Sequence, residues 1–228
     1  MISLLPILAL ALVLGMRHAT DADHVVAVTT IVSRERFLWR AAMVGMIWGI
    51  GHTFTIVVVG SAILLLGWTV PPRLGLSLEF SVAIMLMLLG AWSMRSWWRD
   101  VHTAVIGHAP PAELLPPPDR SHRHGIGVIR PLLVGTVHGL AGSAAVALLV
   151  LPVIHNRNWA LIYLLVFGLG TIAGMMLITA AMALPFTWSA ARSTAFNRGL
   201  GRFAALCAVG FGVFMLYEIG IVDGLMVH

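Results

Sequence analysis

The chain has 228 residues, of which 59% are hydrophobic and only 10% charged, with a mean hydropathy of +0.95. A soluble domain carries about 25% charged residues, so this chain lacks the charge to coat a water-facing surface. Its formal charge of +5 comes from fourteen Arg and no Lys, most of them in short loops between apolar runs; that pattern orients a membrane protein and does not make a nucleic-acid-binding face.

Hydropathy predicts an all-α integral membrane protein, a single membrane domain over 1–228 with about six spans near 2–32, 41–67, 74–95, 129–154, 158–185 and 200–222. Each exceeds the roughly 20 residues a bilayer core requires. The first begins MISLLPILALALVLGMRH, without a basic leader region or a cleavage site, and reads as a retained helix. It is interrupted by the polar string from Arg17 to His24, which points to one long helix, tilted or locally broken. Within seven residues that string holds His18, Asp21, Asp23 and His24. One ionisable group at the centre of a membrane helix costs about 2.5–3.5 kcal/mol even on lenient scales, so such a cluster requires a functional reason. His18, Asp21 and His24 are successive i, i+3 neighbours on one helical arc; Asp23 leaves that arc unless the helix unwinds there.

Span two carries Gly51-His52-Thr53, and span four carries His138. Between spans three and four, residues 96–128 hold five prolines and His102, His108, His122 and His124, a composition that builds no core and reads as a cytoplasmic loop able to capture metal. Trp39, Trp48, Trp97, Trp98 and Trp159 read as an interfacial belt. Cys207, the one cysteine, lies in an apolar run and reads as a buried, inert thiol; alone it excludes an internal disulfide and a paired-thiolate metal site.

Arg placement orients the chain. The loops after spans one, three and five, with their flanks, hold eleven Arg, and the opposite side holds Arg73 and Arg157. This puts those loops in the cytoplasm and both termini outside a cytoplasmic (inner) membrane. Measured from the cytoplasmic ends at about 1.5 Å per residue, His18, His24, His52 and His138 fall in one slab near mid-membrane. Imidazoles with one or two carboxylates make a borderline N/O site suited to nickel, cobalt, copper(II) or zinc. Glycine-centred matches at offsets of about 120 residues (Gly15 with Gly135, Gly49 and Gly51 with Gly168 and Gly170, Gly90 with Gly212) suggest two three-helix repeats of inverted topology.

The string from Arg17 to His24 closely resembles the HxxxxDH signature of the nickel/cobalt transporter family, and Gly51-His52-Thr53 is similar to that family's second, shorter signature. The resemblance implies a secondary permease for Ni2+ or Co2+, carried as cargo with no permanently bound cofactor and no enzymatic activity. It implies His18, Asp23 and His24 as metal ligands, with His52 contributing. The family's classical importers carry an extra helix before the signature and acidic signatures in later helices. Neither is matched here, which points to the shorter, urease-accessory-like branch. Partners, besides the ion and the lipid bilayer, are a second copy of the chain or metalloenzyme maturation proteins. Two other readings stand beside this one: a metal-binding accessory or sensing subunit, and a membrane acyltransferase in which Asp23 orients His18 as general base.

Overall fold

The computed structural model describes residues 4–66, 71–105, 123–141 and 156–225. They form helices α1 (Leu4–His18), α2 (Ala22–Val32), α3 (Leu38–Leu66), α4 (Pro72–Val105), α5 (Arg123–Leu140), α6 (Arg157–Arg192) and α7 (Thr194–Tyr217), the last running on into a π-helical turn, Glu218–Val222. No strand occurs among the described residues. In lipid every backbone N–H and C=O must be satisfied within its own segment, and a helix does this without a partner. Helix starts carry the expected devices: Pro72 opens α4, where its missing N–H is not needed. Asn156 accepts from the N–H of Asn158 at the head of α6, and Ser193 accepts from that of Phe196 at the head of α7.

Helices α3, α4, α6 and α7 are each long and apolar enough to cross a membrane, and α1 with α2 makes a fifth crossing if the pair is one span. The protein is therefore a helical membrane protein. Several predicted boundaries move. The first span is two helices bent by 56° at the polar string. The predicted loop 96–128 loses both ends to helix: α4 runs on to Val105 because no proline interrupts it before Pro110, and α5 begins at Arg123. Helix α6 continues through Pro185 to Arg192, since neighbouring groups in a bundle re-satisfy the freed carbonyl. The apolar stretch of α5, Gly127–Leu140, is shorter than a full crossing; the rest of predicted span four lies outside the described residues. Cys207 is exposed, correcting the expected burial: α7 turns Ala204, Ala205 and Ala208 inward and leaves the thiol on its outer face.

Small residues bring the helices together, as expected where lipid removes any hydrophobic drive between them. A Cβ on Gly15 would collide with the Phe167 carbonyl of α6, and one on Gly135 with the Trp48 carbonyl of α3. Gly170 meets Leu12, and Gly51 meets Leu132. Gly49 meets Ile172, and Gly168 meets Thr53. Gly90 meets Ala205 and Val209, and Gly212 meets Ala83 and Met87. These contacts set α1 parallel to α6, α5 parallel to α3, α3 antiparallel to α6 and α4 antiparallel to α7. Two hydroxyls tie the seams: Thr53 donates to the Gly168 carbonyl and Thr55 to the Thr136 carbonyl, both at 3.1 Å.

Candidate metal centre

The break between α1 and α2 builds the centre. At residues 19–21 the chain leaves helical geometry, with Asp21 extended at φ −61°, ψ 146°. That unwinding turns Asp23, which a continuous helix would have pointed away, into the space beside His24. His52 enters from α3 and His138 from α5. His24, His52 and His138 are fully buried and His18 is 7% exposed. Ring centroids lie 4.8 Å apart for His18–His24, 5.1 Å for His18–His52 and for His24–His52, and 4.2 Å for His24–His138.

Asp23 uses both carboxylate oxygens. Oδ1 accepts from Nδ1 of His24 and from the His24 backbone N–H, each at 2.9 Å, and Oδ2 accepts from Nε2 of His138 at 2.7 Å. An ionised carboxylate only accepts, so those two ring nitrogens carry hydrogens, and Nε2 of His24 and Nδ1 of His138 keep lone pairs. Both of these atoms are buried without a hydrogen-bond partner, as is Nδ1 of His52. Asp21 is the outer acid, its side chain 48% exposed, and its Oδ2 accepts from Nδ1 of His18 at 2.9 Å. That leaves Nε2 of His18 facing Nε2 of His52 at 3.0 Å. Two nitrogens bound to one dication by bonds of about 2.1 Å sit roughly 3.0–3.4 Å apart, so this spacing suits a shared ion.

Two ligand sets result, each with donor atoms within 4.8 Å of one another: His18, His24 and His52, and Asp23, His24 and His138. All six residues singled out in the spans thus meet at one place, but with roles redistributed. Asp23, expected off the arc, is central; Asp21, expected on it, faces outward and orients His18. The dyad an acyltransferase would need does not form, since the acid beside His18 is Asp21. His102 falls near the end of α4 and His124 at the start of α5, while His108 and His122 lie outside the described residues. Sequence reasoning missed two neighbours. Trp48, expected in the interfacial belt, is fully buried, its ring nearly parallel to His24 (15°, centroids 6.1 Å) and edge-on to His138 at 5.8 Å. Phe167 lies 5.8 Å from His18. The signal available was position, because Trp48 stands a turn from His52 and well inside its span.

A helical membrane protein that buries four imidazoles and a carboxylate against one another brings together a donor set that could hold a borderline metal ion. No protein-family model matches the chain and no solved structure matches it. It is 35% identical over 227 residues to the urease accessory protein UreH of Bacillus sp. (strain TB-90), covering 98% of this chain and 96% of that protein. The chain belongs to that family, the urease-accessory branch of the nickel/cobalt transporters.

Proposed function

We propose that this protein is a secondary permease moving a divalent transition-metal ion, nickel or cobalt, across the cytoplasmic membrane. The observation that carries this reading is the closed cluster of His18, His24, His52, His138 and Asp23, assembled at a helix break inside membrane helices. The Nε2 atoms of His18, His24 and His52 form the ion's seat. Asp23 holds His24 and His138 in position from behind, and Asp21 does the same for His18. A set of neutral imidazoles binds a borderline dication firmly but lets hard Mg2+ and Ca2+ pass by. The relative's name, urease accessory protein, favours nickel as the cargo and a urease-maturation apparatus as the partner on the receiving side.

The reciprocal glycine contacts support two inverted three-helix repeats. Every pair described above maps onto its counterpart at an offset of about 120: Gly15 on Phe167 corresponds to Gly135 on Trp48, and Gly90 on Ala205 to Gly212 on Ala83. In this arrangement His18 and His138 are equivalents, and Thr171 stands where His52 would recur.

The test is nickel and cobalt flux into proteoliposomes holding the purified protein, against the His18→Ala, His24→Ala double variant. Wild-type flux that vanishes in the variant is the expected result. Wild-type binding without flux would leave an accessory or sensing subunit, and absence of both would sink the metal reading.

A further inference from the structure

The centre lies between two separate apolar clusters, and each contains one of the two aromatic rings that touch it. Phe167 belongs to the cluster of Ala11, Ile56, Ala160, Tyr163 and Leu164. Along α1, α3 and α6 those residues are displaced from the centre toward the face where α6 begins at Arg157. Trp48 belongs to the other cluster, with Val28, Val32, Ala41 and Ala183, displaced toward the face where α3 begins near Arg40. Because Gly49 opposes Ile172 and Gly168 opposes Thr53, the antiparallel pair places Trp48 and Phe167 at different depths, about 9 Å apart along the axis at 1.5 Å per residue. His52 stands between those two levels. The two rings also occupy matching places in the internal correspondence, and each lies 5.8 Å from the matching histidine, Phe167 from His18 and Trp48 from His138.

We propose that Phe167 and Trp48 are the two closures of the ion's path, each sealing the centre from one face of the membrane. This proposal rests on the permease reading and adds to it the residues that govern access. The physical argument is dewetting. A hydrated dication cannot enter a constriction lined only by aromatic and aliphatic side chains, and both rings are at most 1% exposed. Access from one face requires one ring to leave its histidine while the other stays; simultaneous withdrawal would make a leak. Trp48 also has a reason to remain when the centre is filled, since it lies nearly parallel to His24, one of the seat's imidazoles. Two buried groups match the path: the Tyr163 hydroxyl and the Trp48 indole N–H have no hydrogen-bond partner in the closed arrangement. Each would face water and the passing ion's hydration shell once its own cluster parts.

The experiment reads access and not transport. In the full-length Cys207→Ala protein, His52→Cys places one thiol at the centre, probed in sealed vesicles of each orientation with a membrane-impermeant, positively charged methanethiosulfonate. Adding Phe167→Ala should speed labelling about tenfold or more from the Arg157 face alone, and adding Trp48→Ala should do so from the Arg40 face alone, as expected when a gating element is removed. Phe167→Leu and Trp48→Phe carry the same sidedness at smaller size and decide the matter should an alanine variant fail to reach the membrane. Both substitutions opening the same face, or neither changing the rate, would overturn the proposal. Sided labelling in a protein whose parent carries no nickel would sink the permease and keep the closures. Nickel flux with unaltered labelling would do the reverse.

Discussion

Two aspartates two residues apart are asked to do different work, and the distinction lies in which atoms are already taken. Both oxygens of Asp23 are held by imidazoles, whereas Asp21 is half exposed and holds only His18. Carboxylates that orient a metal-binding histidine typically change affinity about 10- to 100-fold when lost. Asp23→Asn should therefore weaken nickel binding by about that factor, because an amide cannot accept from both rings while keeping the same tautomers. X-ray absorption of the bound nickel should still show the same imidazole ligands; loss of an oxygen ligand would instead make Asp23 part of the seat. Asp21→Asn should cost only a few-fold, about what an exposed partner contributes. Isothermal titration of both variants separates the two cases. The contrast was only half legible in the sequence. The HxxxxDH spacing marked the cluster, but helical arithmetic favoured Asp21, and only the break at residues 19–21 reverses the order. Nothing in the string Ala19-Thr20 forbids helix; it unwinds because turn hydrogen bonds from Thr20 N–H to the Arg17 carbonyl and from Asp21 N–H to the His18 carbonyl keep the freed backbone satisfied, and His138 of α5 compensates the desolvated Asp23, a tertiary effect that local propensity does not carry.

Between helices, the closest approaches are those in which a glycine meets a backbone carbonyl. Gly135→Ala pushes a methyl onto the Trp48 carbonyl, and Gly15→Ala pushes one onto the Phe167 carbonyl. Since backbone cannot yield as a side chain can, overpacking of this kind costs about 1–3 kcal/mol or more, and both variants should melt earlier than wild type in detergent. Gly210 is the control, with nothing within 4 Å of an added Cβ. There alanine should be neutral or stabilising by up to about 1 kcal/mol through helix propensity alone. Thermal denaturation followed by size-exclusion chromatography reads all three. Equal losses at Gly210 and Gly135 would remove the close-packing argument. These seams were only indirectly visible beforehand: the paired glycines at matched offsets read as an internal repeat, and the structure finds them at the helix contacts. Helix ends were less so: α4 and α6 overran their predicted limits because hydropathy reports where lipid ends, while a helix stops only where caps, glycine or proline stop it.

At the scale of the whole molecule, the unequal Arg distribution and the neutral seat bear on direction and energy. Eleven Arg in and beside the loops after the first, third and fifth predicted spans, against Arg73 and Arg157 in the others, predict a single orientation. A phosphatase fused after the C-terminal helix should accordingly be active, and the same reporter inserted between α4 and α5 inactive; the opposite pattern would invert the topology. Driving force follows from the charge that moves. If the seat is three neutral imidazoles and its supporting carboxylates stay in place, the moving charge is the ion's own +2. A dication then gains about 4.6 kcal/mol per 100 mV inside-negative, twice the single-charge value of about 2.3. No ATP is needed for uptake on that scale, and the Walker lysine that an ATP-binding loop requires cannot occur in a chain without Lys. Proteoliposomes with potassium diffusion potentials of graded size test this directly. Nickel accumulation at steady state should rise with potential along a slope of two charges, roughly two-thousandfold per 100 mV. A slope near zero, with accumulation following an imposed pH gradient, would show that a second ion moves against the metal and that the histidine centre is shared between them.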